Sequence, residues 1–106
     1  NPQIASLYQA YHPAVLKLIK QTVEAALQSE IEISVCGEMA GDILAVPFLI
    51  GLGIQELSAS PRQLPEMKKK IRNLSYSQAQ KIAEQVLKLS SAPEIEKFLQ
   101  RASKKF

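Results

Sequence analysis

The residues of this chain whose types could do chemistry stand together in one run, Cys36-Gly37-Glu38-Met39-Ala40-Gly41-Asp42. A thiol can give up a proton, and carboxylates can act as general acids or bases. Gly37 and Gly41 let the backbone turn sharply or approach a ligand closely. The competing interpretation is that Cys36 is a buried structural cysteine, while the glycines shape a loop and Asp42 caps the next helix.

The elements on either side of this run determine where it is presented. Residues 31–35 alternate β-branched and polar side chains, which predicts a buried strand over Ile31–Cys36. An apolar run over residues 43–52 predicts a short helix with a tightened start at Pro47 and an end at Gly51-Leu52-Gly53. Cys36 therefore stands at the carboxyl end of a strand, where α/β sheets bind ligands.

The rest of the chain predicts a second strand and several helices. Apolar side chains at helical spacing predict a helix from Pro13 to about Gln28, and residues 54–60 predict a strand. Two parallel strands joined by a helix form a βαβ unit, which needs further strands beside it. Helices are also expected at 66–73, at 78–89 with Ser75 or Ser77 as its cap, and at 93–103, with residues 104–106 frayed. The predicted apolar stripe of the first helix is Val15, Leu16, Ile19, Val23, Ala26 and Leu27.

Composition indicates an ordinary soluble domain. The chain has 106 residues, 46% hydrophobic and 22% charged, with a net charge of +3. No apolar run approaches the ~20 residues needed to span a bilayer, and no secretory leader is visible. A single cysteine favours a reducing, cytoplasmic location. Because the sequence begins at Asn1, we expect a piece of a longer protein.

The run Cys36–Asp42, followed by Leu49-Ile50-Gly51-Leu52-Gly53-Ile54-Gln55-Glu56-Leu57-Ser58-Ala59-Ser60, resembles the family of phosphoenolpyruvate–protein phosphotransferases, the enzyme I of bacterial sugar uptake. Leu7-Tyr8-Gln9, His12-Pro13-Ala14-Val15-Leu16 and Lys69-Lys70-Ile71-Arg72 match as well, so the likeness covers essentially the whole chain. Pyruvate phosphate dikinase and phosphoenolpyruvate synthase share the barrel and the cysteine and remain alternatives. So does a non-catalytic dimerisation or interaction module.

The resemblance implies an α/β fold that supplies the last two βα units of a (β/α)8 TIM barrel (residues 1–73) and a helical C-terminal tail (residues 74–106). In this family the barrel binds phosphoenolpyruvate and Mg²⁺. The phosphoryl group passes to a histidine on another domain and then to a small phosphocarrier protein, and pyruvate is released. By position, Cys36 would protonate the enolate, and Gly37 and Glu38 would belong to the substrate loop.

The same resemblance limits what this chain can do alone. The family's metal-binding carboxylates and phosphate-binding arginines lie on earlier strands, so the metal ligands fall outside this chain and the isolated piece is expected to be inactive. A homodimer is expected because this family dimerises through the barrel domain.

Two further features have plain structural interpretations. His12 precedes a helix-starting proline, and the phosphorylated histidine of the family lies in another domain, so no phosphoryl role is assigned to it. A basic run near residue 70 lacks the aromatic side chains that stack on bases, so it is interpreted as a solvated helix face rather than a nucleic-acid site. That run is Lys68, Lys69, Lys70 and Arg72.

Overall fold

Helices make up most of the structure, a computed structural model that describes residues 11–35 and 42–106. The predicted site residues Cys36, Gly37 and Glu38 lie outside these described residues. In chain order the elements are α1 (Pro13–Gln28), β1 (Ser34–Val35), a 3-10 turn (Ile43–Ala45), α2 (Val46–Leu52), β2 (Glu56–Leu57), α3 (Leu64–Arg72), α4 (Tyr76–Lys88) and α5 (Ala92–Ser103).

Helices α1, α4 and α5 begin at side chains that accept one of the first free backbone N–H groups, whereas α2 and α3 have no side-chain cap. Helix α4 starts with a capping box, in which Ser75 Oγ accepts from Gln78 N at 3.1 Å and Gln78 Oε1 accepts from Ser75 N at 2.9 Å. Of the two serines that the sequence offered as caps, Ser75 is therefore the one used. Helix α5 has a simple N-cap, Ser91, whose hydroxyl accepts from Glu94 N at 3.3 Å.

The tightened start predicted near Pro47 is confirmed. Asp42 caps the 3-10 turn by accepting from Leu44 N at 3.1 Å, and Pro47 lies in the first turn of α2, where its missing N–H leaves no bond unmade. Gly53 ends α2 with φ +105°, a left-handed conformation that glycine adopts without steric cost.

The two strands pair in parallel, as the sequence predicted. Ser34 lies opposite Glu56 and Val35 opposite Leu57. Among residues 11–35 and 42–106, paired strand is limited to these four positions, whereas the sequence predicted strands over 31–36 and 54–60. Alternating β-branched residues predict an extended chain, but a ladder also needs partners, and within the described residues each strand has one neighbour.

The hydrophobic core is built around α2, whose Val46, Phe48 and Leu49 are buried from solvent. Helix α4 lies so close to α2 that a Cβ placed on Gly51 would stand 2.1 Å from the carbonyl oxygen of Ala79. Two helix backbones can lie this close only where the residue at the contact is a glycine, which has no Cβ. Helix α1 packs against α4, and α5 packs against α4 and the 3-10 turn. Their residues Leu16, Val23, Ile95 and Leu99 are buried in the same core.

One residue of the predicted α1 stripe is exposed, and three others, Val15, Ile19 and Ala26, are only partly buried. Leu27 is 50% exposed, although Leu16 and Val23 of the same stripe are fully covered. Its Cδ1 would lie 3.2 Å from a Cβ added to Gly53. Since a glycine carries no side chain that could cover its neighbour, the last turn of α1 leaves Leu27 half open to solvent.

The C-terminal residues are anchored, so the expectation that residues 104–106 fray is wrong. Lys70 Nζ donates to Ser103 O at 2.8 Å, to Ser103 Oγ at 3.0 Å and to Phe106 O at 3.1 Å. Phe106 packs against the core. Lys70 is thus no part of a solvated basic face, because its ammonium group donates to the carbonyls of Ser103 and Phe106.

Candidate functional site

The carboxyl edge of the β1–β2 pair is the place where the sequence predicted chemistry. Val35 is the last residue of β1 and pairs with Leu57, the last residue of β2. Cys36 follows Val35 directly in the sequence. The three predicted site residues lie outside the described residues, so their roles stay predictions. The structure fixes the elements on both sides of them.

Asp42, the last residue of the run, makes hydrogen bonds to the turn that leads into α2 and to Tyr11. Its Oδ1 accepts from Leu44 N at 3.1 Å, which caps the turn leading into α2. Its Oδ2 accepts from the hydroxyl of Tyr11, one residue before the N-cap of α1. The capping role predicted for Asp42 is therefore confirmed, and the carboxylate has a second function that the sequence did not predict. It ties the entry of α1 to the entry of α2.

Tyr11 is half-buried at this junction. Burial raises the pKa of its phenol well above the usual value, and the hydrogen bond to Asp42 and the negative charges of Asp42 and Glu96 raise that pKa further. Ionising the phenol would place a second negative charge beside the carboxylate. At neutral pH the hydroxyl is therefore a fixed hydrogen-bond donor.

Sequence reasoning missed Tyr11 because the signal is not local. Tyr11 and Asp42 are 31 residues apart, and neither helical spacing nor strand alternation relates them. A tyrosine beside a capping histidine gives no hint of a distant carboxylate. Only the tertiary fold brings the two side chains together.

His12 has a structural role in the structure. Its Nδ1 accepts from Ala14 N at 3.1 Å, and it is the N-cap of α1. The side chain is exposed. The sequence analysis placed His12 before a helix-starting proline, and the structure adds that its side chain is the cap of that helix.

A cleft of about 220 Å³ opens at the opposite, amino-terminal ends of the two strands. Leu27, Ile31 and Glu56 are among the residues that line it. In parallel sheets ligands bind at the carboxyl ends of the strands. This cleft therefore lies at the wrong edge to serve Cys36.

The described residues offer no prepared metal centre. Among residues 11–35 and 42–106, no three histidine, cysteine, aspartate or glutamate side chains lie close enough together to hold an ion. The magnesium ion implied by the resemblance stays a prediction, and no chemical step is derived through it. Within the same residues, none of the helices is both long and apolar enough to cross a membrane.

Comparison with known proteins gives a consistent result. Residues 1–76 match the model of the PEP-utilising enzyme family, PEP-binding domain. The chain is 40% identical to the phosphoenolpyruvate-protein phosphotransferase of Mycoplasma pneumoniae, over 99% of this chain and 18% of that protein. It is 38% identical to the enzyme of the same name from Bacillus subtilis, over 98% of this chain and 18% of that protein. A multiphosphoryl transfer protein of Xanthomonas campestris is 38% identical, over 90% of this chain and 11% of its own length. The chain thus spans about a fifth of the curated relatives it matches, or less.

Proposed function

Because this chain belongs to the family of PEP-utilising enzymes, within their PEP-binding domain, we propose that it is part of a phosphoenolpyruvate–protein phosphotransferase. The whole protein would transfer the phosphoryl group of phosphoenolpyruvate to a histidine on another domain and then to a small carrier protein, releasing pyruvate. Relatives named for this activity, matching nearly the whole chain, support the proposal. The chain alone would not turn over, since the metal and phosphate ligands implied by the resemblance lie outside it.

The fold we propose for the parent domain is a (β/α)8 barrel. Residues 1–73 would supply its last two βα units, and residues 74–106 the helical tail. The support is a parallel strand pair with a helix between its strands, Ser34–Val35 and Glu56–Leu57. Such barrels have about 250 residues, and their strands pair on both sides, so a two-stranded piece leaves two edges for other strands.

One observation carries the proposed site. Val35 and Leu57 end the two strands side by side, and Cys36 is the next residue after Val35. A residue that follows β1 directly in the sequence is expected near the carboxyl edge of the sheet, which is where barrel enzymes bind their substrates. Gly37 and Glu38 follow it and are proposed to belong to the substrate loop.

We assign to the Cys36 thiol the protonation of the enolate that is left when phosphoenolpyruvate gives up its phosphoryl group. The S–H bond breaks, a C–H bond forms at the methylene carbon, and the enolate becomes the ketone of pyruvate. The thiolate that remains regains a proton from solvent before the next turnover. A positioned proton donor of this kind contributes about 10²–10⁴-fold to the rate.

The test is a Cys36→Ala variant of the whole protein, assayed for carrier phosphorylation and for pyruvate release. Pyruvate release is expected to fall by about 100-fold or more. His12→Asn serves as the matched control, because asparagine also caps helices and His12 has no proposed chemical role. Unchanged pyruvate release in Cys36→Ala would refute the role of Cys36. Phosphoryl transfer that requires a nucleotide would assign the parent to the dikinase or synthase branch.

We further propose a cytoplasmic homodimer for the parent. The lone cysteine suits a reducing compartment, and apolar side chains such as Leu18 (62% exposed) and Ile31 (63% exposed) need cover from the rest of the parent or from a second copy. Sedimentation of the whole protein over a concentration series tests the dimer. A monomer at every concentration would contradict it.

A further inference from the structure

A second cleft lies between α4, α5 and the residues that follow α5. Its volume is about 370 Å³, which is within the range of small-molecule pockets. Its apolar wall includes Ile82, Phe98 and Phe106, which belong to or pack against the hydrophobic core. The cleft shares no lining residue with the carboxyl edge of the sheet.

Three cations line the same cleft: Lys81 from α4, Arg101 from α5 and Lys105 from the tail. No acidic side chain is among its lining residues. Within the described residues the ion pair found within 4.0 Å joins Lys20 to Glu24, so none of these three cations is neutralised by such a pair. Three exposed positive charges thus converge on an apolar wall.

The end of α5 does not cancel this positive charge. A helix C-terminus carries partial negative charge on its free carbonyls. Here Arg101 O accepts from Lys104 N and Ala102 O from Lys105 N, each within 3.3 Å. Ser103 O accepts from the ammonium group of Lys70. The ammonium group of Lys70 therefore already lies at the C-terminal end of α5. Lys81, Arg101 and Lys105 remain available to bind an anion in the cleft.

We propose that this cleft binds a small organic anion, in which a carboxylate or similar group is joined to an aromatic or branched apolar body. The apolar body would lie against Phe98 and Phe106, and the anionic group would meet Arg101 and Lys81. A guanidinium group can hold a carboxylate through two parallel hydrogen bonds. A small ligand is favoured over a protein partner, because the apolar wall is confined to one pocket and a stable protein interface buries more than about 1,000 Å². This site is independent of the proposed phosphotransfer activity.

The test uses the whole parent protein and phenylacetate, with binding followed by line broadening of the ligand's proton NMR signals. Phenylacetamide, which has the same shape without the charge, is the ligand control. Phenylacetate should bind at least about tenfold more tightly than the amide, since a charge-assisted hydrogen bond is worth that much. Arg101→Gln and Lys81→Gln should each weaken phenylacetate binding, while Arg72→Gln, an exposed change on α3, should not. Pyruvate release should be unchanged in all three variants, which separates this site from the proposed catalytic one.

Three results would overturn the proposal. Equal binding of phenylacetate and phenylacetamide would show that the cations play no part. An absence of phenylacetate binding to the whole protein would mean that another part of the parent covers the cleft. If Arg101→Gln weakens self-association and leaves ligand binding unchanged, the cleft is an interface for a second copy of the chain.

Discussion

The hydrogen bond from Tyr11 to Asp42 shows how one side chain can join two elements that are distant in the sequence. Asp42 caps the turn before α2, and Tyr11 stands at the entry of α1. Each of the two groups constrains the other. The phenol keeps its proton because burial and the neighbouring carboxylate disfavour the phenolate, and the carboxylate is held where it can cap the turn.

The alkaline pH dependence of stability should reveal this contact. The folded state raises the pKa of Tyr11 above its ordinary value of about 10. The contribution of the Tyr11–Asp42 contact to the free energy of unfolding is therefore fully present below about pH 10. It is lost as the pH rises above that value, since the unfolded chain then ionises the phenol while the folded chain resists. Urea unfolding at pH 7 to 11 should show a steeper alkaline loss for the natural chain than for Tyr11→Phe.

At neutral pH the same substitution should cost about 1.5 kcal/mol, a value typical of a hydrogen bond to a charged group. Tyr76→Phe is the control, because Tyr76 is 54% exposed and lies at the start of α4. Parallel stability–pH curves for the natural chain and Tyr11→Phe would refute the role given to Tyr11.

At the scale of the elements, the helices were the most predictable part of the fold. The long apolar periods of α1, α4 and α5 located these helices within about two residues of their observed ends, because such periods reflect burial on one side. The strands were predicted too long, because alternation cannot show where a partner strand stops. The hydrogen bonds of Tyr11 and Lys70 could not be predicted from the spacing of residues in the sequence, because their partners are 31 and 33 residues away. The candidate thiol site was predicted from a resemblance and a strand end, and the described residues do not test it.

Because α2 and α4 lie so close together at Gly51, replacing this glycine with alanine should lower the free energy of unfolding. In Gly51→Ala the new methyl group would meet the backbone of Ala79, which cannot move without shifting α4. Overpacking of this kind costs about 1–3 kcal/mol, whereas replacing a glycine inside a helix by alanine gains about 1 kcal/mol. Because the new methyl group would meet backbone rather than a flexible side chain, we expect the cost to be at the upper end of its range and to exceed the gain. Thermal unfolding measures the change, with Thr22→Ala on the exposed side of α1 as the control. A more stable Gly51→Ala variant would contradict the close contact.

The capping box of α4 predicts that two neighbouring serines differ in their effect. Ser75→Ala removes an acceptor for Gln78 N and should cost about 1 kcal/mol. Ser77→Ala changes an exposed residue inside the helix, where alanine is favourable, and should be neutral or slightly stabilising. Urea denaturation of the two variants provides the comparison. Equal effects would show that the box contributes nothing to stability.

At the scale of the whole molecule, Lys70 connects α3 to the C-terminal residues. One ammonium group supplies hydrogen bonds to two carbonyls and a hydroxyl at the end of α5. This arrangement keeps Phe106 against the core, where it also lines the second cleft, the one between α4, α5 and the residues that follow α5. The C-terminal residues are therefore part of the fold.

Replacing Lys70 with methionine should loosen this end of the molecule. The substitution keeps much of the apolar stem and removes the donor, so we expect a loss of about 1–3 kcal/mol. Hydrogen exchange should also become faster at the amides of Lys104, Lys105 and Phe106. Lys69→Met, which alters an exposed neighbour on the same helix, should change neither quantity. Unchanged hydrogen exchange in Lys70→Met would mean that packing of Phe106 against the core, and not Lys70, keeps the C-terminal residues in place.

The contacts of Lys70 also bear on the order in which the molecule folds. They join residues that are 33 and 36 positions apart, whereas each helix closes bonds only four residues apart and forms within about a microsecond. The end of α5 can reach Lys70 only after α3 and α5 exist and the core has brought them together. We expect a contact made this late to be absent from the transition state, so losing it should speed unfolding while the folding rate stays nearly the same. Lys70 would then govern how long the molecule stays folded more than how quickly it folds.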